Sequence, residues 1–223
     1  MKFELSKTVA AIAIAFSAGS ASAAMQTLEG VAFDVSFDDS LLGLFGTPTF
    51  LNDTLFFNPS EFVASSYDGF DLANSTLALT ITANDGYVLN GFSVIEEGDY
   101  FYFDDSAVAV GGQLRVKTLD PVVSSATDAF SIGATAPTTM ANFSTTNWSA
   151  EAYVATADVT TAFVTIENIL LAQAAQDSLA FIEKKGVQLN VMATPVPEPE
   201  TYGMMLAGLG MLGFVARRRM SRM

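Results

Sequence analysis

Residues 76–82 read Thr-Leu-Ala-Leu-Thr-Ile-Thr. Leu77, Leu79 and Ile81 recur at every second position, which lines them up on one face of a strand and scatters them around a helix. Asn84-Asp85-Gly86 follows, a turn tripeptide that tolerates positive φ, and residues 87–95 read as a return strand. The same alternation recurs along the chain. Val31, Phe33, Val35 and Phe37 alternate with smaller or polar residues, and residues 108–118 alternate around Val110, Gly112, Leu114 and Val116. Tyr100, Phe101, Tyr102 and Phe103 form a short aromatic strand, and residues 148–156 and 163–171 supply two more. Residues 181–183, a Lys184-Lys185-Gly186 turn, and Val187, Leu189 and Val191 read as a closing hairpin. Roughly eight to ten short strands separated by turn signals predict an all-β fold, a β-sandwich or a jelly roll. Residues 169–180, rich in Ala, Leu and Gln, suit a helix or a loop. Residues 38–50 and the Ser/Thr/Ala-rich stretch 124–147 read as loops, the second a long surface excursion.

The chemistry open to such a domain is narrow. The chain has neither histidine nor cysteine. Disulfides, thiolate chemistry and the commonest general base and metal ligand are therefore excluded. Between residues 24 and 196 there are 21 acidic residues against Arg115, Lys117, Lys184 and Lys185. So acidic a surface repels nucleic acid and attracts cations. Calcium, which takes carboxylate, amide and carbonyl oxygens, is the candidate ligand. Its candidate residues are Asp68 and Asp71 with Glu96, Glu97 and Asp99, two clusters beside glycine; the rival reading makes these acids turn and edge residues. The aromatic run 100–103 sends two rings to each face, one for the core and the other for core or sugar stacking. A hydrolase using two carboxylates needs only a suitably spaced pair, but the sequence singles none out.

The two ends say more. Lys2 and Lys7 precede an apolar stretch, 8–18, and Ala21-Ser22-Ala23 supplies the small residues that a signal peptidase reads. Residues 1–23 are read as a secretory signal peptide with cleavage after Ala23. At the other end, Pro195, Pro197 and Pro199 predict a stiff extended neck. An uncharged run, 202–216, follows, and then Arg217, Arg218 and Arg219. At 15 residues the run is short for a permanent span, for which about 20 are needed, and the arginines hold the cytoplasmic side. It is read as a short transmembrane helix that anchors transiently.

Pro197-Glu198-Pro199, the glycine-rich apolar run and the arginine cluster, in that order at the C-terminus, resemble the PEP-CTERM sorting signal of Gram-negative bacteria. The resemblance implies export across the inner membrane and processing by an exosortase, a membrane cysteine protease. Delivery is then to the cell surface or the extracellular polymeric matrix. The chain thus divides into a signal peptide (1–23), an ectodomain (24–194) and a sorting signal (195–223). Three functions remain open for the ectodomain: a non-catalytic surface or matrix protein, a carbohydrate- or calcium-binding module in contact with exopolysaccharide, and a carboxylate-based hydrolase.

Overall fold

The alternating runs fold as strands, most of them longer than their local signal. The computed structural model describes residues 25–133, 145–196 and 199–220. Ala21 and Ala23 of the signal segment, residues 134–144 of the expected excursion, and Pro197 and Glu198 lie outside the described residues. Within them the elements are β1 (Met25–Leu28), β2 (Phe33–Asp38), two 3-10 turns (Asp39–Leu41 and Gly43–Phe45), β3 (Thr49–Leu51), β4 (Thr54–Phe57), β5 (Val63–Ser66) and β6 (Gly69–Ala83). They continue with β7 (Tyr87–Phe103), β8 (Ser106–Asp120), β9 (Ser124–Gly133), β10 (Thr146–Val159), β11 (Thr161–Ala174), β12 (Leu179–Pro195) and the helix α1 (Pro199–Met220).

Two antiparallel sheets form a β-sandwich. One runs β1-β2-β6-β11-β8-β9 and the other β10-β7-β12-β4-β3, with β5 also paired to β12. Phe33, Val35, Leu79, Ile81, Leu114, Val164 and Ile166 of the first sheet are buried with Leu55, Phe57, Phe92, Val94, Ile182 and Leu189 of the second, in one continuous core. Phe45, from the second 3-10 turn, is fully buried and closes the core between the sheets.

The tight connections at which the chain changes sheet include β6 to β7, β7 to β8, β10 to β11 and β11 to β12. Asn84-Asp85-Gly86 is a turn, as its composition predicts, with Tyr87 N–H donating to the Asn84 carbonyl at 3.0 Å. The strands it joins lie in opposite sheets and do not pair as a hairpin. Asp104, Asp158 and Asp177, at or beside the other three connections, have φ of 59°, 49° and 69°. Aspartate tolerates that left-handed region better than most residues, so part of the chain's acidity is turn chemistry.

Three sequence expectations need correction. Residues 169–180 are neither helix nor loop for most of their length: β11 runs through Ala174, and only 175–178 turn. Residues 124–133 are strand β9, paired with β8 from Thr118–Ser124 to Ala109–Gly133. As an edge strand exposed along most of its length, it shows apolar alternation only at its end, where Phe130 and Ile132 pack against the core. Lys184-Lys185-Gly186 is not a hairpin turn, because β12 passes straight through it with a bulge against β7 between Lys184 and Gly186. Ala180, Ile182 and Lys184 point inward before the bulge, and Val187, Leu189 and Val191 after it. One extra residue is what moves the inward set from even to odd positions.

Candidate functional site

The bulge in β12 places a buried polar cluster between the sheets. The ammonium of Lys184 lies in a salt bridge with Oε2 of Glu96 on β7, and both side chains are fully buried. Asn168, inward-facing on β11 of the opposite sheet, donates from Nδ2 to Glu96 Oε1 at 2.8 Å and to the Glu167 carbonyl at 2.8 Å. Its Oδ1 is buried with no partner among the described residues. Three rings enclose Lys184 Nζ, with centroids at 5.0 Å for Phe62, 5.7 Å for Phe45 and 5.8 Å for Trp148. Burial brings the Lys184 amine down to about 8 and pushes the Glu96 carboxyl up, since a low-dielectric interior disfavours both charges. Two glycines make the room. A Cβ on Gly98, opposite Lys184 in the ladder, would lie 2.0 Å from the Glu183 carbonyl oxygen and 2.7 Å from Trp148 Nε1. A Cβ on Gly112, opposite Asn168, would lie 2.9 Å from Asn168 Nδ2.

A second charged group sits on the rim above it. Lys185 Nζ is 2.5 Å from Asp99 Oδ2 and 2.9 Å from Glu183 Oε1. Thr145 also donates to Asp99 Oδ2, at 2.8 Å. The hydrogen bond to Asp99 raises the Lys185 amine above its ordinary value. Trp148, largely buried, donates from Nε1 to the Glu183 carbonyl at 3.1 Å. A surface hollow of about 410 Å³ opens here, lined by Glu97, Gly98, Asn147, Trp148, Ser149 and Lys185. Glu97 is the one carboxylate in that lining.

The structure does not bring the calcium candidates together. Glu96 points into the core, Glu97 faces solvent, and Asp99 is bound to Lys185 and Thr145. Asp68 is exposed at the β5–β6 turn, while Asp71 accepts from the Ser65 and Leu72 amides at 2.9 Å each. Among the described residues no group of three or more acidic side chains is placed to hold a metal ion. Tyr100 and Tyr102 both face the core and stack at 6.0 Å, leaving Phe101 and Phe103 half-buried on the outer side.

At the C-terminal end the neck is shorter than the prolines suggest. Pro195 is the last residue of β12, paired with Tyr87, and Val196 N–H still donates to the Gly86 carbonyl at 2.7 Å. Pro199 opens α1, where a missing N–H and a fixed φ do no harm. The 22 residues of α1 extend beyond the apolar run on both sides, taking in Glu200 and Arg217, Arg218 and Arg219. Arg217 and Arg218 are exposed. Among the described residues no helix is both long and apolar enough to cross a membrane. The expected apolar run lies within α1, with Glu200 near one end and the arginines at the other.

Residues 195–219 match the PEP-CTERM protein-sorting motif, so the chain carries an export and surface-sorting signal. No curated protein matches the chain. Among solved structures, one similar chain is TmCBM61 in complex with β-1,4-galactotriose, at 8% identity and a TM-score of 0.19, covering 66% of this chain and 90% of that one.

Proposed function

We propose that this is an exported, non-catalytic protein of the cell surface or extracellular matrix, released by an exosortase cutting at the Pro197-Glu198-Pro199 neck. The observation that carries the reading is the sorting motif at 195–219, which begins on the last residue of the sandwich. Signal peptidase removes residues 1–23, α1 associates with the membrane until cleavage, and the sandwich then joins an exopolysaccharide-rich layer. The absence of histidine and cysteine from the sequence supports a non-catalytic role.

The test is intact mass of the protein recovered from the surface and the medium. It should begin at Ala24 and lack the residues after the neck. Replacing Arg217, Arg218 and Arg219 by Asn, or Pro197, Glu198 and Pro199 by Ala, should leave it unprocessed. A mature chain that keeps Met223 and stays in the inner membrane would falsify the sorting reading.

A further inference from the structure

We infer that Lys184 and Asn168 become joined by an intramolecular isopeptide bond, formed by the protein itself with Glu96 as the proton carrier. The three groups such a reaction needs meet here: an amine, a carboxamide and a carboxyl that touches both. Lys184 Nζ is on one oxygen of the Glu96 carboxylate and Asn168 Nδ2 is on the other. No water-exposed route competes, because Lys184, Glu96 and Asn168 are all buried. The glycine opposite Asn168 leaves its carboxamide room, since a Cβ on Gly112 would lie 2.9 Å from Nδ2. A structural ion pair would need no carboxamide from the opposite sheet, and leaving Asn168 Oδ1 without a partner would serve it nothing.

The step balances without a co-reactant. A proton passes from Nζ to Glu96, giving a neutral amine and a carboxylic acid. Burial shifts both groups in the direction this transfer requires. The amine attacks Asn168 Cγ, and a bond from Nζ to Cγ forms. Glu96 accepts a second proton from Nζ and returns one to Nδ2, to which it is already hydrogen-bonded. The Cγ–Nδ2 bond breaks and ammonia leaves. Glu96 ends protonated, the form that a buried carboxyl without a cation prefers, and able to donate to the new amide. The product ties β11 of one sheet to β12 of the other. In an exported chain without cysteine it occupies the role that a disulfide has elsewhere.

The experiment uses the purified full chain, digested after glutamate and read by tandem mass spectrometry. Glu183 lies between Asn168 and Lys184, so the unlinked chain gives separate peptides, 168–183 and one beginning at Lys184. The expected result is one species containing both, lighter than their sum by ammonia, about 17 Da, with fragments placing the link at Asn168 and Lys184. This readout does not depend on processing at either end, so it stands apart from the sorting reading. Glu96→Gln and Lys184→Arg should each abolish the linked species. Separate peptides from wild-type protein that unfolds cooperatively overturn the inference, whether or not those variants fold. A cyclised Asn168 also sheds ammonia but leaves two peptides, and so counts against it.

Discussion

Replacing Gly98 by alanine asks whether the close approach of β7 to β12 and Trp148 is real. The added Cβ would lie 2.0 Å from the Glu183 carbonyl oxygen, a backbone atom that cannot swing aside, and 2.7 Å from Trp148 Nε1. Either the two strands separate by an ångström or more, or the indole leaves its hydrogen bond to that carbonyl. Overpacking of this kind costs about 1–3 kcal/mol, and the lost hydrogen bond adds about 1 kcal/mol. Gly133→Ala is the matched control, because no described residue lies within 4 Å of its Cβ. There the stiffer unfolded chain should stabilise the protein by about 0.5 kcal/mol. Urea titration can follow both, reading the emission of the chain's one tryptophan, which sits at the perturbed contact. The Gly98→Ala midpoint should fall by about 1–2 M at ordinary urea slopes, and the Gly133→Ala midpoint should hold or rise slightly. Equal midpoints for the two variants would refute the packing argument.

Three further outcomes are expected. In an Asn168→Ala chain, which cannot cross-link, the buried Lys184 amine titrates near 8 against 10.5 unfolded. The unfolded state then binds more protons between those values, so this group's contribution to stability rises with pH across the window. Urea unfolding at pH 7.5 and 10, set against the same chain with Lys184→Met, should show the lysine chain gaining, and a constant gap would exclude the lowered value. Asp128 on edge strand β9 accepts from Tyr153 N–H on edge strand β10 at 2.9 Å; Asp128→Ala should cost about 1 kcal/mol and speed exchange of the Tyr153 amide, and unchanged exchange would show the contact is not formed in solution. Millimolar calcium should leave the melting temperature where EDTA leaves it, because Asp68, Asp71, Glu96, Glu97 and Asp99 do not converge; a calcium-specific rise would mean that they do.

The sandwich was legible wherever one face of a strand is apolar. Leu77, Leu79 and Ile81 announce β6 because period-2 burial is a local property. β9 is hard to read because its first six residues are exposed on both faces, and only Phe130 and Ile132 keep the period. The buried cluster failed for a different reason. Glu96, Asn168 and Lys184 each stand in an inward register, following Val94, Ile166 and Ile182; Glu96 and Lys184 lie one step beyond the strands read over 87–95 and 181–183, and Asn168 lies inside the one read over 163–171. Glu96 reads instead as part of an acidic cluster and Lys184 as part of a turn, since an unpaired buried charge is prohibitive. What reverses that judgement is pairing across 72 and 88 residues of sequence, which no local pattern carries. The sorting signal, by contrast, is a matter of covalent order and could be read without any packing, apart from Pro195, which the end of β12 recruits as an edge residue of the sandwich.

The position of β12 also sets a timetable. It is paired with β7 on one flank and with β4 and β5 on the other, so β10-β7 and β4-β3 share no sheet until it arrives. It is also the last strand among the described residues, and the sorting motif begins on its final residue. During export the first sheet, whose strands end at Ala174, can assemble while the C-terminus is still inside the cell, whereas the second cannot close until residues 179–195 have crossed. Completion of the fold and emergence of the signal are therefore nearly the same event. A protease acting at the neck meets a body that has only just finished folding, and a chain stalled before that point presents unpaired strand edges rather than a finished surface.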